Sequence, residues 1–310
     1  MELLLQHFLT ILGLLLCLQL TLKCLRFSKY LFPHLWGAPP PSFFPSLGKW
    51  AVVTGAGDGI GKAYAIELAN RGMNIVMISR TFGKMQRIAL EIESTGRDIK
   101  IIQADFTKKT IYEDIEEKLK GLEIGVLVNN VGMLHNPDPC HFLTGPDNDE
   151  NLVNCNVMSA VKMTRIILKQ MAVRRKGLIL NISSAFGSFP CPLYAIYSAS
   201  KAFLITFSKA LQAEYKSKGI IIQVVTPYGV STPMTKNLST NIIIKSSMEF
   251  VKESLNCVAH GSETYGCLAH AVLGCIMDSI PLWIIHNTMV QEQVLRIYSS
   301  KGKKGVNGRT

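Results

Sequence analysis

The feature that most constrains this chain is a short apolar run, Trp50 to Thr54. It passes directly into Gly55-Ala56-Gly57-Asp58-Gly59-Ile60-Gly61 and then into a segment of helical period that starts at Lys62. A strand that turns within a few residues into a helix needs glycine where the backbone takes positive φ. It needs glycine again where the backbone must approach a phosphate with no side chain in between. The following helix offers unpaired N–H groups and the positive end of its dipole, so a pyrophosphate suits such a turn. Glycine triplets also occur in turns that bind nothing, but here the strand before and the helix after point to the binding reading.

Residues 48–260 repeat this alternation. Apolar runs of strand length occur at Trp50 to Thr54, Asn74 to Ser79, Lys100 to Ala104, Gly125 to Asn129, Leu178 to Ser183 and Ile220 to Thr226. Between them, Lys62 to Arg71, Lys84 to Ser94, Ile111 to Leu119, Leu152 to Arg174 and Ser200 to Ser217 have helical period. Strands that are apolar throughout must be covered on both faces. The pattern therefore predicts an α/β fold: a Rossmann-type doubly wound parallel sheet with helices on both faces, preceded by an N-terminal membrane-anchor helix. Residues 261–310 read as an apolar C-terminal segment with a basic tail. In it Cys267 to Met277 fits a helix, Pro281 breaks it, and Trp283 to Ile285 fits a strand or a membrane-contacting patch.

Residues 1–30 supply the anchor. From Leu3 to Leu22 there is no charged residue, and about 20 apolar residues suffice to cross a bilayer as a helix. A cleaved signal peptide would start basic and end in a small-x-small site; this chain starts with Glu2 and has no such site. Lys23, Arg26 and Lys29 flank the C-terminal end of the segment, so the bulk of the protein is expected to face the cytosol. Residues 31–47 hold five prolines between Pro33 and Pro45 and read as a linker. Of the formal net charge of +11, most of the excess lies in that flank and in Lys301, Lys303, Lys304 and Arg309, a pattern suited to an anionic lipid surface and not to nucleic acid. The eight cysteines form no C-x-x-C and the histidines no ligand spacing, so neither a disulfide framework nor a metal site is expected.

The second strand ends in Ser79-Arg80, where a carboxylate would serve a free ribose 2′-hydroxyl. A guanidinium there pairs instead with a 2′-phosphate, so NADPH is the expected cofactor. Further on, Tyr197 and Lys201 stand four residues apart, one turn along one helical face. A phenol near pKa 10 is a poor proton donor at neutral pH, and a neighbouring ammonium is expected to lower that value. The fifth strand ends in Ser183-Ser184, which offers a hydroxyl to hydrogen-bond a carbonyl oxygen that the phenol protonates.

At these residues the chain resembles the short-chain dehydrogenase/reductase family, from about residue 48 to 235. The matching features are Thr54-Gly55-x-x-x-Gly59-Ile60-Gly61, Asp105, Asn129-Asn130-Val131-Gly132, Asn156, Ser184, Tyr197-x-x-x-Lys201 and Pro227-x-x-Val230-x-Thr232. The resemblance implies that Thr54, Gly55, Gly59, Ile60 and Gly61 cradle the cofactor with Ser79 and Arg80, and that Asp105 contacts the adenine. It implies that Asn129, Asn130 and Gly132 support the ribose, and that Val230 and Thr232 hold the nicotinamide amide. It further implies a tetrad in which Asn156 positions a water for Lys201 and Tyr197, Ser184 orients the substrate, and two copies pair through residues 155–175 and 197–217. Two departures stand out: Val131 where alanine is usual, and Tyr228 beside the substrate pocket. Within the family the anchored chain is similar to the hydroxysteroid dehydrogenases, which implies NADPH-dependent reduction of a lipophilic steroid ketone at the endoplasmic reticulum membrane. The alternatives are a very-long-chain 3-oxoacyl-CoA reductase and an NADP(H)-binding membrane protein without turnover.

Overall fold

The computed structural model describes residues 2–31, 39–258 and 261–306. Helix α1 (Glu2–Leu31) is followed by α2 (Phe43–Leu47), and the domain proper then alternates: β1 (Trp50–Thr54), α3 (Gly59–Asn70), β2 (Asn74–Ser79), α4 (Phe82–Glu93), β3 (Ile99–Gln103), α5 (Tyr112–Leu119) and β4 (Ile124–Asn129). Next come α6 (Asp149–Val153), a π-helical stretch at Asn154–Met158, α7 (Ser159–Arg174), β5 (Gly177–Ile182), α8 (Ala195–Tyr215) and β6 (Ile220–Val225). The chain closes with β7 (Val230–Ser231), β8 (Lys245–Ser246), α9 (Ser247–Asn256), β9 (Glu263–Thr264), α10 (Leu268–Met277), α11 (Leu282–Ile285) and α12 (Thr288–Val306).

The main sheet is parallel, in the order β3-β2-β1-β4-β5-β6-β9. The two-residue periodicity of each strand sends alternate side chains to opposite faces. Ala51 and Val53 join Tyr64 and Leu68 of α3, Met85 of α4 and Phe250 of α9 on one face. Val52 joins Ile115 of α5, Met163 and Ile167 of α7 and Ile179 of β5 on the other. Both faces are covered, as the uninterrupted apolar strands require. Strand order reverses between β1 and β4, so a crevice opens there at the carboxyl ends of the strands.

Several boundaries differ from the sequence reading for local reasons. Helix α3 begins at Gly59, the last glycine of the turn with positive φ, and α8 begins at Ala195, which puts Tyr197 in its first turn. The run Leu152 to Arg174 is one helical path interrupted by the π-helical stretch. Trp283 to Ile285 is not a strand but part of the short helix α11, with Pro281 at its N-cap. β9 is too short to show a periodicity, and only its pairing with β6 makes it a strand.

The proline-rich stretch read as a linker divides in two. Residues 32–38 lie outside the described residues, while 43–47 fold as α2 against the domain, with Phe44 and Leu47 buried and the Arg71 guanidinium 5.2 Å from the Phe44 ring centre. α1 carries an unburied apolar stretch, Glu2–Leu22, long enough to cross a bilayer.

α2 reaches the sheet through a backbone-to-backbone contact. A Cβ placed on Gly125 would lie 2.6 Å from the Gly48 nitrogen and 2.7 Å from the Leu47 carbonyl carbon. Gly125→Ala is therefore expected to pry α2 from the start of β4 at a cost of about 1–3 kcal/mol, a fall in melting temperature on the order of 5 °C by thermal denaturation in detergent. An unchanged melting temperature would show that this contact does not hold α2 in place.

Candidate active site

A cavity of about 1300 Å³ lies over the carboxyl ends of β1, β4 and β5. One end is built by the glycine turn. Gly55 and Gly59 have φ of 66° and 53°, and a side chain on Gly59 would press on the Thr232 methyl at 3.2 Å. Gly61 is needed for packing: its Cβ would sit 2.2 Å from the Gly55 carbonyl oxygen. The Asp58 carboxylate does not cap α3 but pairs with Lys84 at 2.6 Å, which leaves the first N–H groups of the helix facing the cavity. Gly55, Gly59, Ile60, Ser79, Arg80, Asp105, Asn130, Gly132, Val230 and Thr232 all line this space.

That end of the cavity carries a guanidinium and a carboxylate, Arg80 and Asp105. The exposed Arg80 follows directly on β2, with its carbonyl accepting a hydrogen bond from the Gln103 amide at 3.0 Å. Burial alone would raise the Asp105 pKa. The Thr107 N–H and hydroxyl, at 3.1 and 2.9 Å, together with Arg80 and Lys108, outweigh burial and hold the carboxyl below its usual range.

At the other end, Tyr197 and Lys201 lie on one face of α8, both buried. The Lys201 Nζ donates to the Ile182 carbonyl at 3.0 Å and sits 5.7 Å from the centre of the Tyr197 ring. Burial pushes the Tyr197 phenol up to about 12, only partly opposed by its hydrogen bond with Ser184. Burial also pushes the Lys201 ammonium down to about 8, opposed by Cys155. This corrects the expectation that Lys201 lowers the phenol: helical spacing brings the pair to one face, but the ammonium turns toward the end of β5 and desolvation dominates at both groups. The Ser184 hydroxyl also accepts from the Phe186 N–H at 3.2 Å, which fixes its position over the cavity.

Four sequence candidates do not line the cavity and act through others. The buried Thr54 hydroxyl donates to the Val128 carbonyl at 3.3 Å and accepts from the N–H groups of Asn130 and Val131 at 3.0 and 3.1 Å. Gly61 packs beneath the turn, and the Asn129 amide donates to Thr164 and Asn181 inside the core. Asn156, in the π-helical stretch, accepts from the Met133 N–H at 2.8 Å and donates to the Met133 carbonyl at 2.9 Å and to Ser200 at 3.1 Å. Its amide is occupied by protein groups, so any role in ordering a water falls outside these side-chain bonds. Gly132 leaves room there, since its Cβ would lie 3.4 Å from the Lys201 Nζ.

The fit to a dinucleotide is good on these grounds: a glycine cradle at a helix N-terminus, an unblocked guanidinium beside it, and a buried phenol and ammonium at the far end. The short chain dehydrogenase family pattern matches residues 49–242. The chain belongs to the short-chain dehydrogenase/reductase family. It is therefore an NAD(P)-dependent oxidoreductase acting on CH–OH and C=O groups. It is 59% identical over 295 residues, 95% of each chain, to 17-beta-hydroxysteroid dehydrogenase type 3 of Homo sapiens. It is 48% identical over 265 residues, 83% of this chain and 85% of the other, to very-long-chain 3-oxoacyl-CoA reductase of Anas platyrhynchos. A solved short-chain dehydrogenase from Sphingobium yanoikuyae in complex with NADPH superposes with a TM-score of 0.64 at 26% identity, covering 75% of this chain and 96% of that one.

Sequence reasoning missed residues whose signal is purely three-dimensional. The Ser198 hydroxyl donates to the Phe186 and Phe189 carbonyls and accepts from the Cys191 N–H, so it ties down the loop that roofs the site. His270 of α10 is buried; its Nδ1 accepts from the Tyr228 N–H at 3.3 Å and its Nε2 donates to the Ile243 carbonyl at 3.0 Å, an assignment those partners dictate. It thereby holds Tyr228, whose ring lines the cavity and packs against Tyr265 at 6.1 Å. Tyr194 packs against Phe186 with ring centres 5.4 Å apart and tilted by 40°, and forms part of the same wall.

A charged Lys201 ammonium 5.7 Å from the Tyr197 ring favours loss of the phenolic proton, and that charge is lost as pH rises through about 8. The pH profile of kcat/KM for the dinucleotide, which reports the free enzyme, should fall above about pH 8. Lys201→Met should lose both that limb and most of the activity. A profile flat to pH 10 would refute this assignment.

Proposed function

We propose that this chain reduces the 17-ketone of androstenedione to the 17β-hydroxyl of testosterone, with NADPH as cofactor, at the endoplasmic reticulum membrane. The observation that carries the reading is the 59% identity to the human steroid dehydrogenase over 95% of both chains, with Ser184, Tyr197 and Lys201 gathered beneath an apolar roof. Bound NADPH supplies the hydride. Tyr197 gives its phenolic proton to the carbonyl oxygen as negative charge develops there. Ser184 donates a hydrogen bond to that oxygen and fixes the face presented. Lys201 stabilises the phenolate left on Tyr197, and Phe186, Leu193 and Tyr194 keep water from the reacting atoms.

Arg80 supports the phosphate-bearing cofactor, since a guanidinium at the end of β2 pairs with a 2′-phosphate that a carboxylate would repel. Asp105 would face the adenine, Asn130 and Gly132 the ribose, and Val230 and Thr232 the nicotinamide amide. Tyr228 would shape the substrate end. Pairing of two copies through α7 and α8 is part of this reading, supported by Phe203, exposed on α8 and stacked on Phe207 with ring centres 5.5 Å apart. The basic flank of α1 supports a cytosolic catalytic domain.

NADPH oxidation should be seen with androstenedione and not with a long 3-oxoacyl-CoA, and Tyr197→Phe should reduce it by about 10²–10⁴-fold. Arg80→Asp should lower kcat/KM with NADPH by about 10–100-fold while leaving NADH little changed. Turnover of the acyl-CoA alone would replace the steroid reading, and equal use of both dinucleotides would remove the role given to Arg80. Topology has a separate readout: Asn237-Leu238-Ser239 is an exposed sequon, so a cytosolic domain should show no glycosidase-sensitive mass shift. Such a shift would reverse the orientation.

A further inference from the structure

The C-terminal segment has two apolar sides. Toward the domain, Ile285, Val290 and Val294 line the cavity. Away from it, Val272 and Ile276 of α10, Leu282 and Trp283 of α11 and Met289 of α12 are exposed, Trp283 by 70% and Met289 by 79%. Soluble surfaces rarely carry so many large apolar side chains together, and a tryptophan with one wet edge suits a headgroup interface. From Leu268 to Ile285 the only acidic or basic residue other than histidine is Asp278, and its carboxylate accepts from the Tyr265 hydroxyl at 3.2 Å.

Two observations say what covers this face. α10 lies against α1, the unburied apolar helix, so the patch continues the surface that a bilayer already takes. Beyond Glu292 the chain contains no acidic residue, and α12 runs on into Lys301, Lys303 and Lys304, as a segment at an anionic lipid surface would. His286, at the end of α11, is hydrogen-bonded at 3.1 Å to the Pro190 carbonyl in the loop that roofs the site. The exposed patch and the cavity wall are therefore opposite sides of one anchored segment.

We propose that α10, α11 and the start of α12 form a second membrane contact, lying in the headgroup and upper acyl region of the bilayer that holds α1, and that a lipophilic substrate enters the cavity from that layer between α11 and α12. The entry route rests on the ketone-reductase reading above; the contact itself does not.

The test uses the full chain in phosphatidylcholine and phosphatidylserine vesicles in which part of the phosphatidylcholine is brominated on the upper acyl chain. Tryptophan fluorescence should be quenched, and Trp283→Phe should lose most of that quenching. Equal quenching in both proteins would overturn the contact. A concentration-dependent change in Trp283 emission without lipid quenching would overturn it as well, because a second copy would then cover the face. Met289→Glu should raise KM several-fold for a vesicle-borne steroid ketone and leave KM for NADPH and for a small water-soluble ketone unchanged. An unchanged steroid KM would overturn the entry route. If no steroid is turned over at all, the quenching experiment still decides the contact, so failure of the substrate reading is told apart from failure of this one.

Discussion

The hydroxyl of Thr54 is the point on which the site depends. It sits at the reversal of strand order, where β1 meets β4, and it is fully buried. By donating to the Val128 carbonyl and accepting from two consecutive N–H groups of the β4 turn, it makes the end of one strand the template for the start of the other's loop. The Asn130 amide answers by donating to the Thr54 and Gly55 carbonyls, at 3.0 and 3.3 Å. An unpaired polar group here would cost about 1–3 kcal/mol, so the reciprocal bonding selects one arrangement of the two loops.

From that tie a chain of bonds runs across the sheet to the reacting groups. The β4 turn delivers Gly132 and Met133; Met133 is clamped on both backbone groups by Asn156; Asn156 reaches Ser200; and the Ser200 hydroxyl donates to the Tyr197 carbonyl at 2.7 Å. The glycine turn and Tyr197, at opposite ends of the cavity, are thus set relative to one another by continuous hydrogen bonding. Asn156 is better described as a positioning residue in this arrangement, because its amide is spent on the backbone of Met133 and on Ser200. Asn156 lies buried within the π-helical stretch that interrupts the path from α6 to α7.

Most of this architecture was legible in the sequence, and the reasons are physical. Six apolar runs of strand length could only be strands covered on both faces, and each falls within one residue of its observed bounds. Arg80 was singled out because strand ends are where a parallel sheet presents side chains, whereas Asp105 was named only through the family resemblance; both line the cavity. The pKa values of the reacting pair were not. Spacing of four residues specifies a shared face but says nothing of depth, and Lys201 and Tyr197 are both buried, so desolvation moves each toward its neutral form. Ser198 and His270 were illegible for a related reason: each acts on backbone groups of loops distant in sequence or poorly ordered by period, and no spacing rule connects them.

The C-terminal segment resisted reading because its pattern answers to two surroundings at once. A helix packed on a domain shows one apolar face, whereas α10 has buried His270, Ala271 and Gly274 inside and exposed Val272 and Ile276 outside. Its apolarity therefore carries no period that marks inside from outside. The inward His270 holds the Tyr228 backbone and the Ile243 loop, while the neighbouring outward positions face away from the domain beside α1. One ten-residue helix thus fixes the substrate end of the cavity and presents the surface next to the anchor. A displacement of α10 that weakened the bond from the Tyr228 N–H would also move the aromatic that walls the pocket. The orientation of the domain against its surroundings and the shape of its substrate end are consequently set by the same element.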